Sequence, residues 1–301
     1  MKSYQFETWD VFTNERFSGN PLAVVMDGEG LSTQQMQTIT GEFNLSETTF
    51  VLPPENPAHT ARVRIFTIGY EMPFAGHPTV GTAIAIAKAR GLSGEIILEL
   101  NAGSFAVSLD MSGDISSAEF LNPNLPALVG GGPAGNAPSA DMLEPALSLP
   151  VGALDRAAHC PRLIGAGGVN YLYCNASLQD VQSARVNSAA FDALELDDAV
   201  GVYLYAQGGT SPDADYHARM FAPNAGIVED PATGSAAASL PGQIVLAQRL
   251  DDGEQCWLIE QGFEMGRPSL INARIQAKGG AISAVRIGGQ AVKVQTGQLF
   301  V

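Results

Sequence analysis

The chain of 301 residues is short of thiols, imidazoles and basic side chains, and each shortage excludes something. Its three cysteines, Cys160, Cys174 and Cys256, form no Cys-x-x-Cys pair and cannot all pair internally. Reduced, mostly buried thiols are expected in place of a disulfide framework. The four histidines, His59, His77, His159 and His217, show no His-Glu-x-x-His helix and no His/Cys cluster, so no metal site is expected. Sixteen Lys and Arg against 31 Asp and Glu give a net charge of −15, which disfavours nucleic acid and anionic membranes as partners. No apolar run is long enough to span a bilayer, and residues 1–10 lack the apolar core of a secretory signal; a cytoplasmic protein is expected. The glycine runs at 165–168 and 208–209 fit neither a dinucleotide fingerprint nor a P-loop, so NAD and ATP are disfavoured and no cofactor is expected.

Turns and small residues are plentiful. Thirty-three Gly and 18 Pro, spread along the chain, imply many tight turns and a strand-rich architecture. The length suits two domains of roughly 150 residues, though one large domain is also compatible.

The most informative feature is an internal repeat. Arg62–Phe66 alternates like a strand and runs through a Gly/Pro turn to His77-Pro78-Thr79-Val80-Gly81-Thr82-Ala83. His217–Phe221 does the same and reaches Asp230-Pro231-Ala232-Thr233-Gly234-Ser235-Ala236. Matched by letter, the frame is polar-Pro-x-x-Gly-hydroxyl-Ala, with His77 opposite Asp230. Proline suits the first helical position and an Asp before it can cap the helix. Each copy is then either a well-capped helix or a seat for an anion at a helix N-terminus. The period is too long for a solenoid and points to two related halves.

Taken in order, residues 4–12 and Leu22–Met26 read as strands, joined by a turn where Asn20 either closes an Asx turn or lines a pocket. Ser32-Thr33-Gln34-Gln35 fits a capping box before a helix with Met36, Ile39 and Phe43 on its apolar stripe. Glu47 falls at the following helix-to-strand junction, where a side chain can be aimed into a cleft. Thr82–Arg90 reads as a helix ending at Gly91, and Glu95–Leu100 with Ser104–Leu109 as a hairpin. The long helix is expected inside a strongly curved sheet. Residues 122–140 are the linker candidate, between a first half at 1–121, with a strand possibly exchanged from the C-terminus, and a second half at 141–301. Pro241-Gly242 is expected to break the second half's long helix.

The motifs Gly19-Asn20-Pro21, Asn44-Leu45-Ser46-Glu47-Thr48, Met72-Pro73-Phe74-Ala75-Gly76-His77-Pro78-Thr79 and Glu229-Asp230-Pro231-Ala232-Thr233-Gly234-Ser235-Ala236 together resemble the PhzF-like isomerase family of phenazine biosynthesis. The resemblance covers essentially the whole chain. It implies an α+β fold of the diaminopimelate-epimerase type: two pseudo-symmetric domains, each a curved, mostly antiparallel sheet around a central helix, with the active site in the cleft between them. It also implies a homodimer and a cofactor-independent isomerase acting on a small carboxylate-bearing metabolite. Glu47 would carry a proton across the substrate with help from His77 and Asp230. Asn20, Ser46, Gly76, Thr79, Gly234 and Ser235 are the substrate-binding candidates.

Related racemases place one cysteine in each half. Here the first such position is Ala75 and no cysteine lies between Thr210 and Leu250, so a two-thiol mechanism is not expected. The remaining alternatives are a non-thiol epimerase or racemase and a non-catalytic small-acid binding protein. A proton-shuttling Glu works best with its pKa raised toward neutrality, for which Phe50 and Phe74 are candidate dry walls. Glu71 and Glu229 are expected to be structural partners of Arg64 or Arg219.

Overall fold

The opening strand lies antiparallel to the last residues of the chain. The computed structural model describes residues 2–194, 196 and 198–301, and its contacts divide the chain into two units: Met1–Leu121 with Gly288–Val301, and Asn122–Ile287.

The first unit runs β1 (Ser3–Val11), β2 (Asn20–Val25), α1 (Thr33–Phe43), β3 (Glu47–Leu52), β4 (Ala61–Thr67), β5 (Glu71–Met72), α2 (Gly76–Arg90), β6 (Gly94–Leu100), β7 (Gly103–Asp110) and β8 (Ser116–Leu121). The pairs β1/β2, β3/β4, β4/β5, β6/β7 and β7/β8 are antiparallel, whereas β2/β3 and β4/β6 are parallel. Each parallel step needs a crossover, and α1 and α2 supply the two. The capping box forms as the sequence predicts: Ser32 accepts from the Gln35 amide, and the Gln35 side chain accepts from the Ser32 amide. Met36 and Ile39 pack with Tyr4, Val25, Phe50 and Phe66. Helix α2 has no exposed stripe through most of its length, since Gly76 through Ala87 are all buried. A Cβ on Gly81 would stand 2.6 Å from a Val11 methyl and 2.7 Å from a Leu22 methyl, so β1 and β2 press on the helix backbone itself.

The second unit runs β9 (Ala127–Leu128), α3 (Ala140–Ala146), β10 (Arg162–Ala166), β11 (Val169–Asn175), α4 (Leu178–Ser183), α5 (Ser188–Asp192), β12 (Gly201–Gln207), β13 (Tyr216–Ala222), β14 (Ile227–Asp230), α6 (Gly234–Ala247), β15 (Gly253–Gln261), β16 (Ser269–Lys278) and the start of β17 (Ala281–Phe300). From Gly288 onward the chain belongs to the first unit, where β17 lies antiparallel to β1. Residues 122–140 contain β9, which pairs with β10. Among the described residues no helix is long and apolar enough to cross a membrane. Of the three free cysteines Cys174 is buried and Cys160 half-buried, but Cys256 is exposed on β15.

The pairing pattern of the second unit repeats that of the first: β10/β11 antiparallel, β11/β12 parallel, β12/β13 and β13/β14 antiparallel, β13/β15 parallel, β15/β16 antiparallel. The registers align the copies residue by residue. Ile65 faces Met72 across β4/β5 and Met220 faces Asp230 across β13/β14, so Met72 corresponds to Asp230. The ion pairs agree, because Arg64–Glu71 and Arg219–Glu229 each sit one residue earlier on the same strands.

The letter-matched repeat is therefore out of register. Met72-Pro73-Phe74-Ala75-Gly76-His77 is equivalent to Asp230-Pro231-Ala232-Thr233-Gly234-Ser235, and His77 is opposite Ser235. Both helices open on a glycine, Gly76 and Gly234, after Ala75 and Thr233 as N-caps. Pro78 is thus inside the first turn of α2 and Pro231 precedes α6, so neither holds the first helical position, and Asp230 ends a strand and does not cap a helix. Nor does Pro241 break α6, which continues to Ala247. Pro241 and Gly242 are buried, and a Cβ on Gly242 would lie 2.8 Å from Pro126 Cβ and 2.9 Å from Ile164 Cγ2. The helix thus runs through the proline, with Gly242 in close contact with Pro126 and Ile164.

Matching carboxylates finish β6 and β15. Glu99 accepts the Glu55 and Asn56 amides, and Glu260 those of Thr210 and Ser211. In the second unit this anchor extends to fully buried His217, whose Nδ1 is 2.9 Å from Glu260 Oε2 and whose Nε2 is 2.9 Å from Glu264 Oε1. Both ring nitrogens face carboxylate oxygens, so both carry protons and the ring is a cation. Burial alone lowers its proton affinity, but Glu264 and Glu260 outweigh that and raise its pKa.

Replacing His217 by Leu removes the imidazolium between two carboxylates, and leaves Arg219 Nε, 3.8 Å from Glu264 Oε2, as a more distant cation. We predict a loss of about 3–5 kcal/mol of stability by urea denaturation at neutral pH. Because the folded pKa is raised, the gap to wild type is full below the ordinary value of about 6.5 and narrows as pH rises through the raised one. A loss below about 1 kcal/mol would refute a buried cation here.

Candidate active site

Alternation along β3 decides where Glu47 points. Thr49 faces α2, its hydroxyl 2.8 Å from that of Thr82, so Glu47 two residues earlier faces the same helix nearer its start. There Glu47 Oε2 lies 3.4 Å from His77 Nε2, with the two side chains 12% and 5% exposed. From β2, Asn20 brings its amide nitrogen to 3.3 Å from His77 Nδ1. The first unit thus gathers three residues singled out in the sequence, Asn20, Glu47 and His77, around one imidazole.

Burial alone pushes the His77 pKa down to about 3, so the ring is neutral at physiological pH. An amide nitrogen can only donate, so Nδ1 accepts from Asn20 and the single ring proton sits on Nε2, facing Glu47. At 3.4 Å this approach is longer than a regular hydrogen bond. Among the described residues His77 Nε2 makes no hydrogen bond.

The remaining candidates are distributed as follows. Gly76 and His77 supply the opening amides of α2, which have no intrahelical acceptors and receive no side-chain cap from Ala75. Thr79 differs: its amide and its hydroxyl both donate to the Ala75 carbonyl, at 3.3 and 2.7 Å. Ser46 is half-buried in the bend just before Glu47. In the second unit Gly234 and Ser235 open α6, and Ser235 Oγ is 2.7 Å from Tyr171 Oη. Asp230 is buried at the end of β14, where its Oδ2 accepts from the Thr233 hydroxyl at 2.5 Å.

The expected aromatic walls are packing residues. Phe50 points to the α1 face of β3, opposite Glu47, and meets Phe66 edge-on at 5.5 Å. Phe74 stacks on Phe105 with ring centres 4.9 Å apart. Glu71 and Glu229 pair with Arg64 and Arg219, as the sequence suggests. Gln261, by contrast, carried no signal in the sequence: it arrives from the end of β15 and binds both Asp230 and Thr233. No group of three or more His, Cys, Asp or Glu side chains among the described residues is placed to hold a metal ion.

Known proteins similar to this chain cover nearly its whole length. The family described as phenazine biosynthesis-like protein matches residues 9–297. An uncharacterized isomerase of Mesorhizobium japonicum is 41% identical over 308 residues, covering 100% of both chains. The trans-2,3-dihydro-3-hydroxyanthranilate isomerase of Pseudomonas chlororaphis is 33% identical, covering 96% of this chain and 97% of its own. The crystal structure of a Bacillus anthracis phenazine biosynthesis protein of the PhzF family has the same fold, with a TM-score of 0.85 at 24% identity and 100% of both chains covered.

The neutrality of His77 has a measurable consequence. Between about 6.5 and 3 the unfolded chain binds a proton on this residue that the folded chain does not, so stability falls as pH falls through that window. The slope from one such proton is about 1.4 kcal/mol per pH unit. We predict that His77→Asn, followed by urea denaturation between pH 6 and 4, loses stability less steeply than wild type by about that amount. Parallel slopes would contradict a neutral imidazole.

Proposed function

This chain belongs to the phenazine biosynthesis-like family, and we propose that, as an isomerase of that family, it moves a proton from one carbon to another of a small carboxylate-bearing metabolite, with Glu47 as the proton carrier. The observation behind this reading is the buried approach of Glu47 Oε2 to His77 Nε2 at 3.4 Å. Relocating a proton within one molecule suits a single group that first takes it and then returns it, and a carboxylate can do both. A protonated His77 would bind Glu47 as an ion pair and weaken it as a base. The neutral ring leaves that basicity intact and offers one N–H to steady charge growing on the carboxylate or on a substrate oxygen.

The substrate carboxylate is assigned to the opening amides of α2, those of Gly76 and His77; within the second unit Gly234 and Ser235 open α6 in the same way. Asn20 holds the tautomer of His77. Asp230 is assigned to a substrate amine or hydroxyl. Acid, base and anion seat are all protein groups in this scheme, so it requires no metal or organic cofactor.

The test is a panel of small cyclic and acyclic amino and hydroxy acids incubated with the protein in deuterium oxide and read by mass spectrometry and NMR. The panel includes trans-2,3-dihydro-3-hydroxyanthranilate, after the name of the P. chlororaphis relative. Wild type should introduce solvent deuterium or shift a double bond in at least one acid. Glu47→Gln should lower that rate by about 10²–10⁴-fold with an unchanged melting temperature, and Asp230→Asn should lower it as well. Undiminished exchange in Glu47→Gln removes the proton-carrier role. Inversion of configuration with no double-bond shift would identify an epimerase instead.

A further inference from the structure

We propose that Gln261 is a positioning residue for Asp230, acting through Thr233 to fix which carboxylate oxygen of Asp230 exchanges protons. This rests on the reading of Asp230 as a participant in turnover. The geometry itself lies wholly within the second unit.

Four contacts define the arrangement. The Thr233 amide lies 3.1 Å from Gln261 Oε1. Gln261 Nε2 is 2.8 Å from the Asp230 carbonyl oxygen and 3.0 Å from Thr233 Oγ1. Thr233 Oγ1 is 2.5 Å from Asp230 Oδ2. Their directions are forced. A backbone N–H can only donate and a backbone carbonyl can only accept, so the side-chain amide of Gln261 has a single permitted orientation. Both Nε2 protons are then committed, one to the Asp230 carbonyl and the other to Thr233 Oγ1. A hydroxyl that receives there turns its own proton outward, and the acceptor in front of it is Asp230 Oδ2. The chain runs one way, from Gln261 through Thr233 to Asp230. With Oδ2 held as an acceptor, proton exchange is favoured at Oδ1.

Two features show that this chain is built in. Gln261 is fully buried and Thr233 nearly so, in surroundings where an unmet amide is costly. The next residue, Gly262, has φ +79, and a Cβ there would stand 2.5 Å from the Pro231 carbonyl oxygen and 3.0 Å from Pro231 Cα. The end of β15 therefore seats directly on the turn that carries Asp230, and only glycine permits that seating. The bond to Gln261 Oε1 consumes the Thr233 amide and leaves those of Gly234 and Ser235 as the openings of α6.

The test uses the full-length protein with ¹³C-carboxyl-labelled aspartate, the Asp230 resonance being identified by its loss in Asp230→Asn. Gln261→Met keeps the length without the amide and adds no charge that would itself shift a neighbouring carboxylate. Thr233→Val keeps the shape without the hydroxyl, and Thr233→Ser keeps the hydroxyl. Losing the hydroxyl donor, or the amide that turns it toward Oδ2, should move the Asp230 titration upward by about half a pH unit or more in Thr233→Val and Gln261→Met, and not in Thr233→Ser. If either of the first two variants fails to fold, the other still decides. Unmoved titration in the folded variant overturns the proposal. For any panel acid that wild type turns over, the acid limb of the exchange-rate profile should move the same way, with kcat lowered at least about ten-fold and KM changed little. If wild type exchanges no acid, the proposed function fails, while the carboxylate titration still decides the role of Gln261.

Discussion

A helix buried on every face has no polar side for water, and both units are arranged around that constraint. Gly76–Ala87 of α2 and most of Gly234–Ile244 of α6 are buried, so both helices are made of glycine, alanine and compact residues. Small side chains let neighbouring backbone and methyl groups come into contact, as at Gly81 with Val11 and Leu22 and at Gly242 with Pro126 and Ile164. The polar groups of the surrounding strands are then confined to what the helix can answer. Thr49 is answered by Thr82. Asn20 and Glu47 are answered by His77 in the first turn, where the helix also offers amides with no partner in its own ladder.

Duplication supplied two such shells, but the chemistry is not duplicated. Leu22 faces Glu47 across the parallel pair β2/β3, and Tyr171 faces Gly201 across β11/β12, so the position of Glu47 is held by Gly201 in the second unit. A Cβ on Gly201 would run into the Phe221 carbonyl, which excludes any side chain there. His77 is matched by Ser235, and Asp230 by Met72. The parts retained in both copies are mechanical: the Arg–Glu pair beside the turn, the strand-end carboxylate that clamps two loop amides, and the glycine that opens the helix. The acidic groups were placed independently on a common frame.

How much could be read from the chain depends on the range of the interaction. The capping box at Ser32, the hairpin around residues 101–103 and the strand start at Glu47 are set by neighbours a few residues apart, and the sequence shows them directly. The repeat was visible as well, but its register was not. Two proline-x-x-glycine frames occur in the first copy, at Pro73 and at Pro78, and only strand pairing decides which matches Pro231. The continuity of α6 through Pro241 was hidden as well, and the contacts of Gly242 with β10 and Pro126 belong to no local pattern. Gln261 lies about thirty residues from its partners and belongs to no local motif. A glutamine at the end of a strand becomes legible only when the strand is seen to end beneath the turn.

Two histidines show how environment sets the protonation state of the same side chain. His217 has a carboxylate oxygen at 2.9 Å from each ring nitrogen, and that double attraction overcomes the cost of burying a charge. Its protons are committed, and the ring works as a fastening. His77 has one carboxylate at 3.4 Å and an amide donor on its other nitrogen, and there desolvation prevails. The second ring is neutral, it is held in one tautomer, and its single N–H lies near a base without being locked to it. The proton relocation proposed above needs an exchangeable proton, and of these two arrangements the looser one meets that requirement.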